Sequence, residues 1–191
     1  MAKPKPIGSV KIRPQVLSRT ARLMIPFYRQ IAGNRSYALR WSQAVRTANL
    51  RTMERLFRRV VPAAATTDLS TNGIGYFVDV PYPMPVIEYT NGTSIRPGTT
   101  QFYFNTSVHQ AIARAVVPLY RKLAADESWA GAILRAARAG NRRALSKLIR
   151  RYVTTPYLAS VRPESNGFSL GFRYPGSRFT VYNEFFRSSN M

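Results

Sequence analysis

Hydrophobic positions along this chain recur in a pattern that occurs twice, 92 residues apart. The first copy runs from Ala21 to Val61 and the second from Ala113 to Val153. Each opens on Ala-Arg-x-x-x-Pro-x-Tyr-Arg-x-x-Ala and closes on Arg-Arg-x-Val. Ahead of and into the second copy, Val108, Ile112, Val116 and Leu119 keep helical spacing, with Ser107 as the expected N-cap. Pro26 and Pro118 fall at the same point of both copies, where a proline starts a new helix or bends the old one. Two further stripes follow. Trp129, Ile133, Leu134 and Ala137 form one, Gly140-Asn141 breaks it, and Leu145, Leu148, Ile149 and Tyr152 form the next. The first copy repeats this with Tyr37, Trp41, Ala44, Val45 and Ala48, a break at Asn49, then Met53, Leu56, Phe57 and Val60. Asn and Gly accept the left-handed conformation that ends a helix, so each copy predicts an αα-hairpin.

Period-two and β-rich runs flank the helices. Ser9–Arg13 (Ser-Val-Lys-Ile-Arg) and Gln101–Asn105 (Gln-Phe-Tyr-Phe-Asn) predict a strand before each helical block. After it, Asn72-Gly73 and Asn166-Gly167 signal turns. Strands follow at Ile74–Val80 and Phe168–Tyr174, stopped by Pro81 and Pro175. The spacing between copies is 94 residues here, because the second carries two extra loop residues. The pattern predicts an α+β fold: a tandem duplication of a β-α-αα-β unit, with two pseudo-symmetric halves sharing one sheet. Residues 1–8 read as a basic arm kept from helix by Pro4 and Pro6. Residues 9–82 form the first unit. Residues 83–99 are a Pro-, Gly- and Thr-rich connector with one short strand at Val86–Tyr89. Residues 100–176 form the second unit. Residues 177–191 form a C-terminal strand that joins this sheet or a neighbour's.

Charge changes the picture. The chain of 191 residues has 29 Lys and Arg against 8 Asp and Glu, a net charge of +21. Such an excess repels itself in a compact fold until anions neutralise it, and nucleic acid is the usual neutraliser. Only Lys3, Lys5, Lys11, Lys122 and Lys147 are lysines; the rest is Arg, whose planar fork suits phosphate and carboxylate. A GC-rich genome would also favour Arg over Lys. Arg22/Arg114, Arg29/Arg121, Arg46/Arg138, Arg51/Arg143, Arg58/Arg150 and Arg59/Arg151 are duplicated, and all avoid the apolar stripes. The expected nucleic-acid-binding set is Arg46, Arg51, Arg58, Arg59, Arg138, Arg142, Arg143, Lys147, Arg150 and Arg151. A solvated face is the plainer reading of the same residues. Tyr28 and Tyr120 read as core residues, with base stacking as the alternative.

Other chemistries find little footing. The chain has no cysteine, which excludes disulfides and Cys-based zinc sites. His109 is its one histidine, so no multi-His metal site can form, and it reads as a helix-start residue more than a catalytic base. No carboxylate cluster has metal-ligand spacing, and no Gly-rich phosphate loop occurs. Ala136-Ala137-Arg138-x-Gly140 has the grammar of close-packed short helices. It matches an ankyrin repeat in part and a DNA-binding helix-turn-helix weakly. Asn91-Gly-Thr and Asn105-Thr-Ser fit the glycosylation pattern by accident, since no secretory signal is seen.

The run Pro-Phe-Tyr-Arg-Gln-Ile-Ala-Gly-Asn-Arg-Ser, with Thr-Asn-Gly-Ile-Gly-Tyr-Phe and Tyr-Thr-Asn-Gly-Thr further on, resembles small basic proteins of endospore-forming Bacillota such as Bacillus and Paenibacillus. The resemblance covers most of the chain. It implies a link to sporulation or the spore and transfers no functional residue.

The expected function is therefore non-enzymatic, with no cofactor: coating or packing nucleic acid through Arg-rich helix faces, independently of base sequence. The competing expectation is a self-assembling filament or shell subunit that uses its N-terminal arm and C-terminal strand for contacts. Both anticipate a homo-oligomer, no membrane span, and a cytoplasmic or spore location.

Overall fold

The computed structural model describes residues 10–164 and 166–187. The predicted arm at 1–8 lies outside them, as do the tail beyond Arg187 and Ser165. Among the described residues, six α-helices, one short 3-10 turn (Pro62–Ala64) and six strands form an α+β fold. In chain order these are α1 (Pro14–Gly33), α2 (Arg35–Arg46), α3 (Leu50–Val60), β1 (Asp68–Thr71), β2 (Gly75–Pro81) and β3 (Glu88–Ile95). Then come α4 (Thr106–Ala125), α5 (Glu127–Arg138), α6 (Arg142–Ile149), β4 (Leu158–Glu164), β5 (Gly167–Phe172) and β6 (Val181–Phe186). The strands make one sheet in the order β1-β2-β3-β6-β5-β4, every neighbouring pair antiparallel. The helices cover one face, and α1 and α4 pack most extensively against each other.

Five of the six helices begin where the sequence supplies an acceptor, while α1 starts on Pro14 with no side-chain cap. Asn34 and Asp126 cap α2 and α5 through Tyr37 N and Trp129 N. Asn49 and Asn141 cap α3 and α6 through Thr52 N and Ala144 N. Each satisfies an orphan donor of the first turn, worth about 1 kcal/mol. The hairpin breaks thus fall where predicted, with one refinement. The left-handed residue is Gly140 (φ 60°) in one hairpin and Ala48 (φ 49°) in the other, while the asparagines serve as caps. The cap of α4 is Asn105, which accepts from Val108 N, and not Ser107. Pro26 and Pro118 sit inside 20-residue helices that continue through them. Both prolines are exposed, so the carbonyl each leaves unpaired one turn earlier faces solvent.

Several strand expectations change. Val10–Arg13 and Gln101–Asn105 are not strands. Ile12 and Phe104 bury there as wedges instead, and no strand lies beside them to complete a ladder. The loop before each Asn-Gly turn holds strands β1 and β4, which make hairpins with β2 and β5. The connector holds β3, whose residues from Tyr89 to Ile95 are all buried. Its Thr-Asn-Gly-Thr-Ser run reads as a polar linker, yet it pairs on both edges, with β2 and β6. Of the two places expected for the C-terminal strand, the chain's own sheet is the one found: β6 sits between β3 and β5.

At the middle of the sheet the core is polar. Tyr28 of α1 donates to Asn91 Oδ1 (3.0 Å), and Asn91 Nδ2 donates to Tyr120 of α4 (2.7 Å). Tyr120 donates to Asn183 Oδ1 (2.9 Å), and Asn183 Nδ2 donates back to Tyr28 (2.9 Å). This four-membered ring of hydrogen bonds is fully buried. The two phenol rings meet edge to face at 5.0 Å. Both amides also reach across the β3–β6 pair, Asn91 to Glu184 O and Asn183 to Gly92 O. Burial pushes both phenols above their ordinary pKa, so they stay neutral donors. Tyr28 and Tyr120 are therefore core residues, and neither is placed to stack on a base.

His109 joins the ring's edge. Tyr76 donates to Tyr28 (3.2 Å) and stands 2.9 Å from His109 Nε2. Since Tyr76 spends its proton on Tyr28, Nε2–H of His109 donates to Tyr76 and Nδ1 keeps a lone pair without a partner. Burial among Phe27, Phe104 and these tyrosines depresses the imidazole pKa to about 3.

Replacing Asn183 with Leu should cost about 3 kcal/mol in urea unfolding, because it leaves the Tyr120 hydroxyl without its acceptor and takes one partner each from Tyr28 and Thr93 in a dry site. The double variant with Asn91→Leu should cost less than the sum of the two singles, since both break one ring. A loss below about 1 kcal/mol for the single change would mean that the ring does not hold the core. The imidazole adds a pH dependence. Its folded pKa is depressed, so its contribution is present above about pH 6.5 and lost as pH falls toward 3. Stability should drop by about 2 kcal/mol between roughly pH 7 and pH 5, and His109→Gln should flatten that slope.

Candidate polyanion-binding surface

The cationic side chains divide into those held by the protein's own carbonyls and those left to solvent. Five of the duplicated arginines, Arg22, Arg114, Arg46, Arg138 and Arg150, belong to the first group. Arg22 donates to Ala124 O near the end of α4 (2.7 Å), and Arg114 donates to Ala32 O near the end of α1 (3.2 Å). Each guanidinium thus caps the other long helix at its negative pole. Arg46 donates to Phe104 O (2.7 Å) and Arg138 to Ile12 O, which anchors the segment leading into the opposite long helix. Within the second hairpin, Arg142 donates to Val161 O and Arg150 to Leu158 O. Both carbonyls lie on β4, an edge strand, so α6 closes part of an edge that would otherwise invite pairing.

Of the expected binding residues, Arg46, Arg138, Arg142 and Arg150 therefore have a structural bond. Arg51, Arg58, Arg59, Arg143, Lys147 and Arg151 are exposed, and among the described residues none has an ion-pair partner. The one ion pair there joins Lys122 to Asp126 (2.7 Å), whose carboxyl is held below its usual range by that lysine and then by Trp129 N–H. Helices α1 to α6 contain just two carboxylates, Glu54 and Glu127.

Two concavities gather arginines, and of the expected set only Arg59 lines one of them. A cleft of about 360 Å³ lies between α2 and α3, with Arg40, Arg55 and Arg59 around Gln43, Thr47 and Thr52. A shallower groove of about 440 Å³ lies where α1 meets α4, with Arg29, Arg114 and Arg121 around Ala32 and Pro118. Neither is lined by a carboxylate. Three guanidiniums with hydroxyls and an amide can hold an oxyanion through charge-assisted hydrogen bonds. The sequence reading missed Arg40 and Arg55. It favoured arginines that recur 92 residues on, where these two meet Ala132 and Lys147. The available signal was the four-residue step from Arg55 to Arg59, which puts both on one side of α3.

Among the described residues, no group of three or more His, Cys, Asp or Glu could hold a metal ion, and no helix is long and apolar enough to cross a membrane. No protein-family model matches this chain, and no curated protein or solved structure matches it.

The two classes of arginine should respond differently to removal. Arg46→Ala should lower stability by about 1–2 kcal/mol by releasing a charged hydrogen bond to Phe104 O. Arg58→Ala and Arg59→Ala should each stay within about 0.5 kcal/mol in thermal or urea unfolding. Equal losses in both classes would erase the division.

Proposed function

We propose that this chain is a non-enzymatic protein that binds and packs nucleic acid through its helix layer, contacting phosphates and not base edges. The observation that carries the reading is the uncompensated charge of that layer. Exposed arginines line two carboxylate-free concavities, and the one ion pair among the described residues lies elsewhere. A partner with closely spaced phosphates supplies the missing anions and gains entropy as its counterions leave. The resemblance to small basic proteins of endospore formers gives this role a setting in the spore.

We further propose that the two halves are tandem copies of one unit. The reciprocal bonds support it. Arg22 to Ala124 O and Arg114 to Ala32 O exchange under a shift of 92 residues, as do Arg46 to Phe104 O and Arg138 to Ile12 O. Tyr28, Asn91, Tyr120 and Asn183 obey the same shift. Such a unit presents its cationic faces in two related sets, each able to engage a separate stretch of polyanion.

A second reading, self-assembly, is favoured by the opposite side of the sheet. The strands carry Asp68, Asp79, Glu88, Glu164 and Glu184, and the register places all five on the face without helices. Only Arg162 offsets them within the strands. Burial raises the pKa of Asp79 and of Glu184. The helix layer of one copy and the open sheet face of another are complementary in charge, and such a head-to-tail contact repeats without closing.

Fluorescence anisotropy on labelled duplex DNA and on single-stranded RNA tests the first reading. Affinity should fall about a thousandfold between about 50 and 200 mM salt if about six phosphates are neutralised. Arg58→Glu with Arg59→Glu should make the log–log salt slope shallower by about 2. Failure to bind either nucleic acid at about 20 mM salt would overturn it.

A further inference from the structure

Beside the cationic concavities lies a cleft of different character. About 420 Å³ of space opens between α1, the end of α3 and the end of β2. Its body is aliphatic, formed by Leu23, Pro26, Val60 and Val80, and two guanidiniums, Arg19 and Arg22, stand in its lining. No carboxylate lines it. The cations are already positioned. Arg19 lies over the Tyr82 ring at 5.5 Å, and Arg22 is tethered to Ala124 O by one nitrogen, which leaves its other donors for a ligand. Tyr82 is itself fixed by Thr20 Oγ1 and Val16 O.

The matching positions further along the chain argue that the opening is particular to this site. Val60 corresponds, 92 residues on, to Tyr152, and Val80 corresponds, 94 residues on, to Tyr174. Those rings pack against aromatic neighbours, Tyr152 on Trp129 at 5.1 Å and Tyr174 on Tyr157 at 4.7 Å. Arg19 corresponds to Ala111. At the α3 and β2 walls, small aliphatic Val60 and Val80 and the added cation Arg19 thus stand where the other half carries two rings and an alanine. A largely apolar cleft of this size with two guanidiniums in its lining has the make-up of a small-molecule site.

We propose that this cleft binds an amphiphilic anion: a short aliphatic chain seated on Leu23, Val60 and Val80, with its head group on Arg19 and Arg22. A carboxylate and a phosphate monoester share that head-group chemistry. The site is separate from the nucleic-acid reading, since it selects a single anion by its apolar body. Titration calorimetry and ligand-observed NMR with decanoate, decyl phosphate and decanol, each below its micelle concentration, test it. Decanoate or decyl phosphate should saturate at about one per chain, and the tighter of the two identifies the head group. Decanol should bind at least about tenfold more weakly. Arg19→Ala should weaken the anions by about tenfold and leave decanol unchanged. Val80→Tyr, which installs the residue of the other half, should abolish binding; Leu23→Phe at the cleft wall is the second filling variant should Val80→Tyr fail to fold. Saturable binding that survives the folded filling variants, equal affinity for decanol, or no saturable binding below about 1 mM would each overturn the proposal.

Discussion

Two tyrosines and two asparagines, closed into a ring in the driest part of the molecule, set the geometry on which everything else rests. A buried amide or phenol without a partner costs on the order of 1–3 kcal/mol, so a ring of four tolerates no slippage. Asn91 and Asn183 fix β3 beside β6 in one register, and Tyr28 and Tyr120 fix α1 beside α4 above them. Hydrophobic contact alone would leave those helices free to slide by a turn. The ring converts an apolar sandwich into one arrangement, and the aromatic cluster around Phe27, Trp41 and Tyr76 packs beside it.

Arginine has two roles in this fold, decided by whether a backbone carbonyl lies in reach. Arg22, Arg114, Arg46 and Arg138 reach across to carbonyls near helix ends and in entry segments, and Arg142 and Arg150 to the β4 edge. Each such bond replaces water at a backbone acceptor. On the outer sides of the helices, as at Arg51, Arg58 and Arg59, the same residue type remains a surface cation. One composition thus supplies both internal fastening and an external field. Part of the strong positive charge is therefore used inside the fold.

The two faces of the molecule carry opposite chemistry for a geometric reason. Strands alternate, so each contributes one row to the helix side and one to the open side. The helix side takes the apolar and ring-forming residues. The open side is floored by Thr90, Gly92, Ser94, Ser169 and Gly171, and the strand carboxylates stand on it. Gly92 is required there because Phe77 lies across it; a Cβ would meet the ring at 2.4 Å. The acids cannot reach the helix-layer arginines through the thickness of the sheet, so the chain cannot neutralise itself.

The sequence by itself determined the helical half of this protein. Amphipathic stripes placed five of the six helices and the repeat placed α1, and Asn49 and Asn141 marked the hairpin breaks, because helix formation and capping are settled by residues within a few positions of one another. Asn-Gly likewise placed the β2 and β5 hairpin turns. The edge strands β1 and β4 escaped notice, and the short strand expected at Val86–Tyr89 met only the first two residues of the central strand β3. Glu88–Ile95 carries Thr, Asn, Gly and Ser that are satisfied only by partners tens of residues away, so nothing local distinguishes it from a linker. The division of the arginines was illegible for the same reason: Arg22 and Arg58 look alike until the fold brings Ala124 O to one and solvent to the other. Short-range preferences are written in adjacent residues. Which polar group meets which across the core is decided only when the chain closes on itself, because an unpaired group is tolerated in water and heavily penalised once it is buried.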